Sequence, residues 1–332
     1  MTIVEISNHP RETATDGGAS RPKLNRRAVV DDALREKEIL WWQRFARSEE
    51  RFSWVLPEVF QPLPRERYMQ RIADALGDPE LVVDYGCGDG WISRALAKRM
   101  SSRFLGLDLS AAQIVLARDA SRQFPRLDFR VVAGPEVIPS ANTYILHGVL
   151  HHLPADEIFR LLERIKDVAP DGAALVVVEP VWFPGNSPDQ TDKNLLSAMK
   201  HIVEEPARAL RAQGRSPGPE VERFRRDAGE RWWGEPPYGP SPMEKPFEHD
   251  ELNAVLERYF AIEYTQPVQF LPASQDLATE LALLAEDAPD LARAIQPQLQ
   301  GPMDLLESAL LKFSRLPDIG WYMTLTMARI GS

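Results

Sequence analysis

Three glycines at alternate positions, Gly86, Gly88 and Gly90, follow the apolar run Leu81-Val82-Val83-Asp84-Tyr85. Glycine permits the sharp turn that this spacing implies, and it removes side chains that would block a ligand lying over the backbone. A helix opening near Gly90 aims its free N–H groups and positive dipole end at an anionic group. Asp108 stands 108 − 84 = 24 residues beyond Asp84, at the tip of a second apolar run. An acid there can accept hydrogen bonds from both hydroxyls of a ribose. A second cluster lies further on. His147, His151 and His152 are three of the six histidines, and Glu179 follows the fifth apolar run. A histidine titrating near neutrality suits proton removal from an acceptor, so His151, then His147, then Glu179 are the candidate bases. Taken singly, each histidine is more commonly a packing or capping residue, and Glu179 an ion-pair partner. The histidine spacing is not that of a metal set, because adjacent histidines at a strand end diverge and no acid pair completes it; no metal is expected. Cys87 reads as a small buried residue under the loop rather than a nucleophile.

These residues need a scaffold that brings strand ends together. Alternating strands and helices supply one: strands at 81–85, 104–108, 129–132, 143–146 and 174–178, and helices at 91–100, after Ser110, and at 155–167. This rhythm predicts crossover units and a largely parallel sheet. Helices are also predicted over roughly 31–50, 65–76 and 249–259, with strands at 262–270 and 321–330. Residues 181–246 break the pattern, holding 10 of the 28 prolines, too many for one continuous helix. A shorter helix over 191–213 and an interrupted helical stretch over 274–315 are expected there and beyond. The sequence divides into a flexible tail (1–27), an N-terminal helical cap segment (28–67), a core (68–180), an inserted cap (181–246), core again (247–270), a helical cap (271–320) and a final core strand (321–332).

Spacing separates two kinds of nucleotide loop. A dinucleotide fingerprint, G-x-G-x-x-G/A, would need a small residue where Trp91 stands. The D-x-G-x-G-x-G form read from Asp84 is instead similar to motif I of the class I S-adenosylmethionine-dependent methyltransferases. Leu105-Gly106-Leu107-Asp108-Leu109-Ser110 resembles the second-strand motif of that family. Val149-Leu150-His151-His152-Leu153 resembles its stretch after the fourth strand, and Pro170-Asp171-Gly172-Ala173 with the run from Leu175 to Pro180 its fifth-strand region. The resemblance spans about residues 80–180. It implies an α/β fold, a doubly wound seven-stranded mostly parallel sheet (Rossmann-like) with a mostly helical cap from N-terminal and inserted segments, its last strand antiparallel. It implies S-adenosylmethionine as cofactor. Asp84 would help hold the methionine amino group, and the loop of Gly86, Cys87, Gly88 and Gly90 would pass under the ligand. Asp108 would take the ribose hydroxyls and Leu109 would pack on adenine. Ala133-Gly134-Pro135 stands where many members carry an acid for the adenine amino group, leaving a backbone carbonyl or Glu136 for that contact.

Composition narrows the class. Lys and Arg number 39 against 49 Asp and Glu, a net charge of −10 over 332 residues, which disfavours nucleic acid as a partner. One cysteine excludes an internal disulfide, and no apolar run reaches the roughly 18 residues of a membrane span. A cytoplasmic protein is expected. Its partner would be a small-molecule or lipid-like acceptor methylated on oxygen or carbon, with a homo-oligomer left open. The aromatic residues Trp41, Trp42, Trp54, Trp182, Trp232 and Trp233 fall in cap segments, as an apolar acceptor pocket requires. Alternatives are a protein that binds the cofactor without transferring methyl groups, and a cofactor-assisted cyclase. Glu235-Pro236-Pro237-Tyr238 superficially matches an amino-group methyltransferase motif but lies in the insertion, away from the fourth strand.

Overall fold

Runs of apolar residues five to nine long, spaced by amphipathic helices, must bury both faces of each strand, and a parallel sheet covered on both sides does so. The computed structural model describes residues 32–45, 63–182, 247–269 and 321–331, with 242, 243, 245 and scattered positions within 208–222 and 290–296. Its elements are α1 (Asp32–Phe45), α2 (Leu63–Leu76), β1 (Leu81–Tyr85), α3 (Trp91–Ala97), β2 (Arg103–Asp108), α4 (Ala111–Ala120), β3 (Leu127–Val131) and β4 (Thr143–His147). They continue with α5 (Ala155–Val168), β5 (Ala174–Trp182), β6 (Phe247–Glu248), α6 (His249–Glu257), β7 (Ala261–Gln269) and β8 (Trp321–Arg329).

The strand order is β3-β2-β1-β4-β5-β8-β7, and the two-residue β6 pairs with β5 outside that path. β1 through β5 pair in parallel, whereas β8 runs antiparallel to both β5 and β7. The seven predicted strands are present, and β6 is an addition that the sequence did not signal, because two residues carry no periodicity. β5 runs four residues past its predicted end, since β8 pairs with it from Ala174 to Trp182. Pro267 sits in β7, an edge strand, where its missing N–H costs no ladder bond.

Among the described residues, the period-two alternation of the strands builds a core on each face of the sheet. Leu175 and Val177 of β5 face α5 and α6, with Val83 and Tyr85 of β1. Ala174, Val176 and Val178 face the opposite side, against α2 and α3, with Val82 of β1. In α5, Ile158, Leu161, Leu162 and Ile165 recur at helical spacing and are all buried. Ser110 caps α4, its Oγ accepting from the Gln113 N–H at 3.4 Å. The predicted cap stretches 191–213 and 274–315 lie almost wholly outside the described residues; of the cap, α1 and residues 242–245 are described in part.

Between β1 and β4 the strand order reverses, and in open α/β sheets the crevice beyond such a pair of strand ends is where ligands bind. Among the described residues, no helix is long and apolar enough to cross a membrane.

Candidate functional site

The loop after β1 is a chain of hydrogen bonds closed on β2. The N–H groups of Gly86 and Cys87 both donate to the Leu107 carbonyl, at 2.7 and 3.1 Å. Asp108 then fixes the next turn. Its Oδ2 accepts from the Gly88 N–H at 2.9 Å and its Oδ1 from the Ser110 N–H at 2.7 Å. Asp89 Oδ1 accepts from the Trp91 N–H at 3.1 Å and so opens α3, with Arg94 donating to the Asp89 carbonyl.

Glycine is required here on two separate grounds. Gly86, at φ +76°, would place a Cβ 2.4 Å from Val149 Cγ2. Gly88, at φ +54°, would place a Cβ in open space, because it faces the cavity. That opening has a volume of about 860 Å³, its mouth included, and Gly86, Gly88, Asp108 and Leu109 line one side. Tyr85, Ser110 and Gln113 line it too, and Gly148 and Val149 close it from β4.

The other predicted cofactor residues sit below the surface. Cys87 is buried with Ile114, Ala117 and Phe129, and burial pushes its thiol well above the ordinary value. Gly90 packs against Phe129. Asp84 is 1% exposed and receives a 2.6 Å hydrogen bond from Ser93 Oγ. Burial raises its pKa from 3.8 to about 7; Ser93 opposes that rise, and neighbouring Asp108 adds to it. Burial likewise raises Asp108, against the two backbone N–H groups that favour its charged form. A buried carboxylate, Asp84, and a half-buried one, Asp108, both pushed toward protonation beside the cavity, form a site whose charge a cationic ligand would restore. The open space at Gly88 and the two-oxygen acceptor at Asp108 fit a ribose-bearing cation such as S-adenosylmethionine. Glu136, one of two adenine-contact candidates, folds back over Gly134 and pairs with Arg160 at 3.7 Å.

On the β4 side the three predicted bases separate. Glu179 is fully buried, its Oε1 accepting from the N–H groups of Val149 and Leu150 at 2.9 and 2.7 Å. His151 Nδ1 lies 2.7 Å from its Oε2. Burial alone would raise Glu179, but His151 and the two amides outweigh it and hold the carboxyl below its usual range. Glu179 thereby shapes the 3-10 turn Leu150–His152 from inside the sheet. His147 ends β4 with its ring edge-on to Trp91 at 5.5 Å. Neither His151, His147 nor Glu179 lines the cavity.

His152 does line it. Its Nδ1 lies 3.2 Å from Oε1 of Glu38, a carboxylate of α1 that is 7% exposed. The same Oε1 accepts from Trp42 Nε1 at 2.9 Å, and Oε2 accepts from the Met243 N–H at 2.9 Å. Trp42 stands edge-on to the His152 ring at 5.1 Å. Arg35 of α1 pairs with Glu157 of α5 across the same wall. Trp42 is one of the aromatic residues that the sequence assigns to an acceptor pocket, whereas Glu38 and Met243 are not among the sequence candidates. The one available signal was Glu38 itself, an acid at four-residue spacing between Leu34 and Trp42 on the apolar stripe of its helix. Among the described residues, no group of three or more His, Cys, Asp or Glu side chains could hold a metal ion.

A family model described as a methyltransferase domain matches residues 82–172. The O-antigen chain terminator bifunctional methyltransferase/kinase WbdD of Escherichia coli is 29% identical over 137 residues, covering 37% of this chain and 19% of that protein. Daphnetin O-methyltransferase 1 of Secale cereale is 30% identical over 107 residues, 31% of this chain and 29% of that protein. The match thus spans less than a third of the length of each of these curated relatives. Among solved structures, geranyl diphosphate C-methyltransferase from Streptomyces coelicolor A3(2) aligns at 14% identity over 80% of each chain, with a TM-score of 0.43. The [4+2]-cyclase SpnF aligns at 15% identity over 80% of each chain, with a TM-score of 0.46. The match over 82–172 takes in the glycine loop, Asp108 and the turn after β4, so that stretch of the chain is similar to methyltransferase domains.

Proposed function

We propose that the protein binds S-adenosylmethionine and transfers its methyl group to a small-molecule or lipid-like acceptor, on oxygen or carbon. The observation that carries this reading is the Gly88–Asp108 pair: a glycine opening onto the cavity, with its N–H held by a carboxylate that keeps acceptor capacity for a ribose. Asp108 would take the ribose hydroxyls and Leu109 would pack on the base. Asp84, buried beneath the loop with Ser93 donating to it, would meet the amino group. When bound, the cofactor supplies an electrophilic methyl on a positively charged sulfur.

The chain's own contribution is alignment and exclusion of water, because displacement at a sulfonium disperses charge rather than creating it. Gly148 and Val149 place the end of β4 beside the cavity, and α1 with Met243 closes the side opposite the glycine loop. An acceptor between these two walls would lie beside the bound cofactor.

Calorimetry with S-adenosylhomocysteine tests the reading. Micromolar binding by the full chain is expected, and Gly88→Val should abolish it by filling the cavity from a strained φ. Absence of binding by well-folded protein would overturn the proposal. Formation of S-adenosylhomocysteine from S-adenosylmethionine in the presence of a cell-extract metabolite pool separates a transferase from a protein that only binds.

A further inference from the structure

Most polar side chains that line the cavity are already committed. Arg35 is paired with Glu157, and Glu38 with His152. Asp108 holds the N–H groups of Gly88 and Ser110, and Ser110 Oγ accepts from the Gln113 N–H. Two remain. Gln113 is 5% exposed and Tyr85 6%, and both line the cavity. Among the described residues, neither the Gln113 carboxamide nor the Tyr85 hydroxyl has a hydrogen-bond partner. A ligand that fills the cavity must pair with such groups or strand them away from water.

Resting on the cofactor reading above, we infer that Gln113 determines which nucleobase the site accepts. Its carboxamide carbonyl takes the exocyclic amino group of adenine, and its NH2 donates to the ring nitrogen beside that group. The stretch after β3 is not placed to do this. Ala133, Gly134 and Pro135 carry no acid, and Glu136 is turned back onto Gly134 and toward Arg160. No residue of 132–142 lines the cavity. A carboxamide presents an acceptor and a donor side by side, which matches adenine in a bidentate pair and leaves the acceptor stranded against a purine that lacks the amino group.

Position selects Gln113 over Tyr85. Gln113 lies on the first turn of α4, the helix that follows Asp108 and Leu109, and Leu109 lines the cavity beside it. Two hydrogen bonds in series fix that turn to the carboxylate: Asp108 Oδ1 to the Ser110 N–H at 2.7 Å, and Ser110 Oγ to the Gln113 N–H at 3.4 Å. Ile114 and Ala117 anchor the same helix against Cys87 and Phe129. The carboxylate for the sugar and the carboxamide for the base are thus carried on one rigid corner. Tyr85 instead ends β1 and offers a single hydroxyl, which burial keeps protonated. A lone hydroxyl turns to donate or to accept, so it selects for neither.

Calorimetry on the full chain compares S-adenosylhomocysteine with the analogue carrying hydrogen in place of the amino group at purine C6. The unmodified protein should prefer S-adenosylhomocysteine about tenfold or more, because the analogue strands the Gln113 carbonyl. Gln113→Leu should weaken S-adenosylhomocysteine about tenfold and leave the analogue within about threefold, so that the preference disappears. Gln113→Glu, which keeps an acceptor, should retain it. Tyr85→Phe should leave the preference within about threefold. Equal loss of both ligands in Q113L would place Gln113 on the sugar or in packing and overturn the inference. A preference under about threefold in the unmodified protein, or its collapse in Y85F, would overturn it too. If Q113L melts early, side-chain amide NMR of the unmodified protein decides. A Gln113 NH2 shift with S-adenosylhomocysteine that is absent with the analogue supports the assignment, and the same response to both overturns it. Failure to bind S-adenosylhomocysteine at all would instead sink the methyltransferase reading.

Discussion

The two sides of the cavity are built by different means. The side after β1 and β2 is made of backbone: glycine conformations, amide donors and one carboxylate that binds two of them, all within residues 84–110. The side after β4 is made of side chains from residues 38, 42, 152, 157 and 243. A backbone site is specified locally and holds whatever carries the complementary nucleoside. A side-chain wall assembled from distant segments can change without disturbing the loop, so the proposed transfer would choose its acceptor there.

The largest test of that division concerns Glu179, which underpins the β4 side from inside the sheet. Glu179→Ala should lower unfolding stability by about 3–5 kcal/mol in urea titrations, because two amides and His151 lose a buried partner. The folded pKa of Glu179 is lowered, so its contribution is present above the ordinary value of 4.5 and is lost as pH falls through the folded value. An effect under about 1 kcal/mol would mean that the turn holds itself.

A smaller effect should appear on the glycine side. Asp84 is raised to about 7, so the ligand-free protein loses stability as pH climbs from 3.8 toward 7, where the unfolded chain ionises first. A cationic amino group reverses this by favouring the carboxylate. S-adenosylhomocysteine affinity should therefore increase about tenfold from pH 6 to pH 8, and Asp84→Asn should flatten the slope. A slope that survives in the variant would remove Asp84 as the ammonium partner.

The smallest change expected is at Ser93. Ser93→Ala should cost about 1 kcal/mol and move the affinity slope to higher pH, because the hydrogen bond it removes favours the charged form of Asp84. An unshifted slope would mean that Ser93 serves packing alone.

The readable part of the site was local. Gly86, Gly88, Asp108 and Leu109 all line the cavity, as their spacing required. The antiparallel last strand followed from the family resemblance rather than from any period, and the order β5-β8-β7 is read from the structure alone. His151 illustrates the other case. Its residue type suited a base, but a carboxylate 28 positions away on a buried strand ties it to the turn. The two histidines do not diverge as residues of a strand end would: they share one 3-10 turn with their rings 3.9 Å apart, and a sequence does not say which of them meets the cavity.

What the chain alone determined is the glycine loop after β1, because its constraints, positive φ, absent Cβ atoms and amide donors, act between residues a few positions apart or in registered neighbouring strands. The pairing of Glu38 with His152 across 114 positions of sequence was settled only by the packing of α1 against the β4 turn. Side-chain contacts between remote segments leave no period in the sequence; burial and hydrogen bonding fix them once the chain has closed.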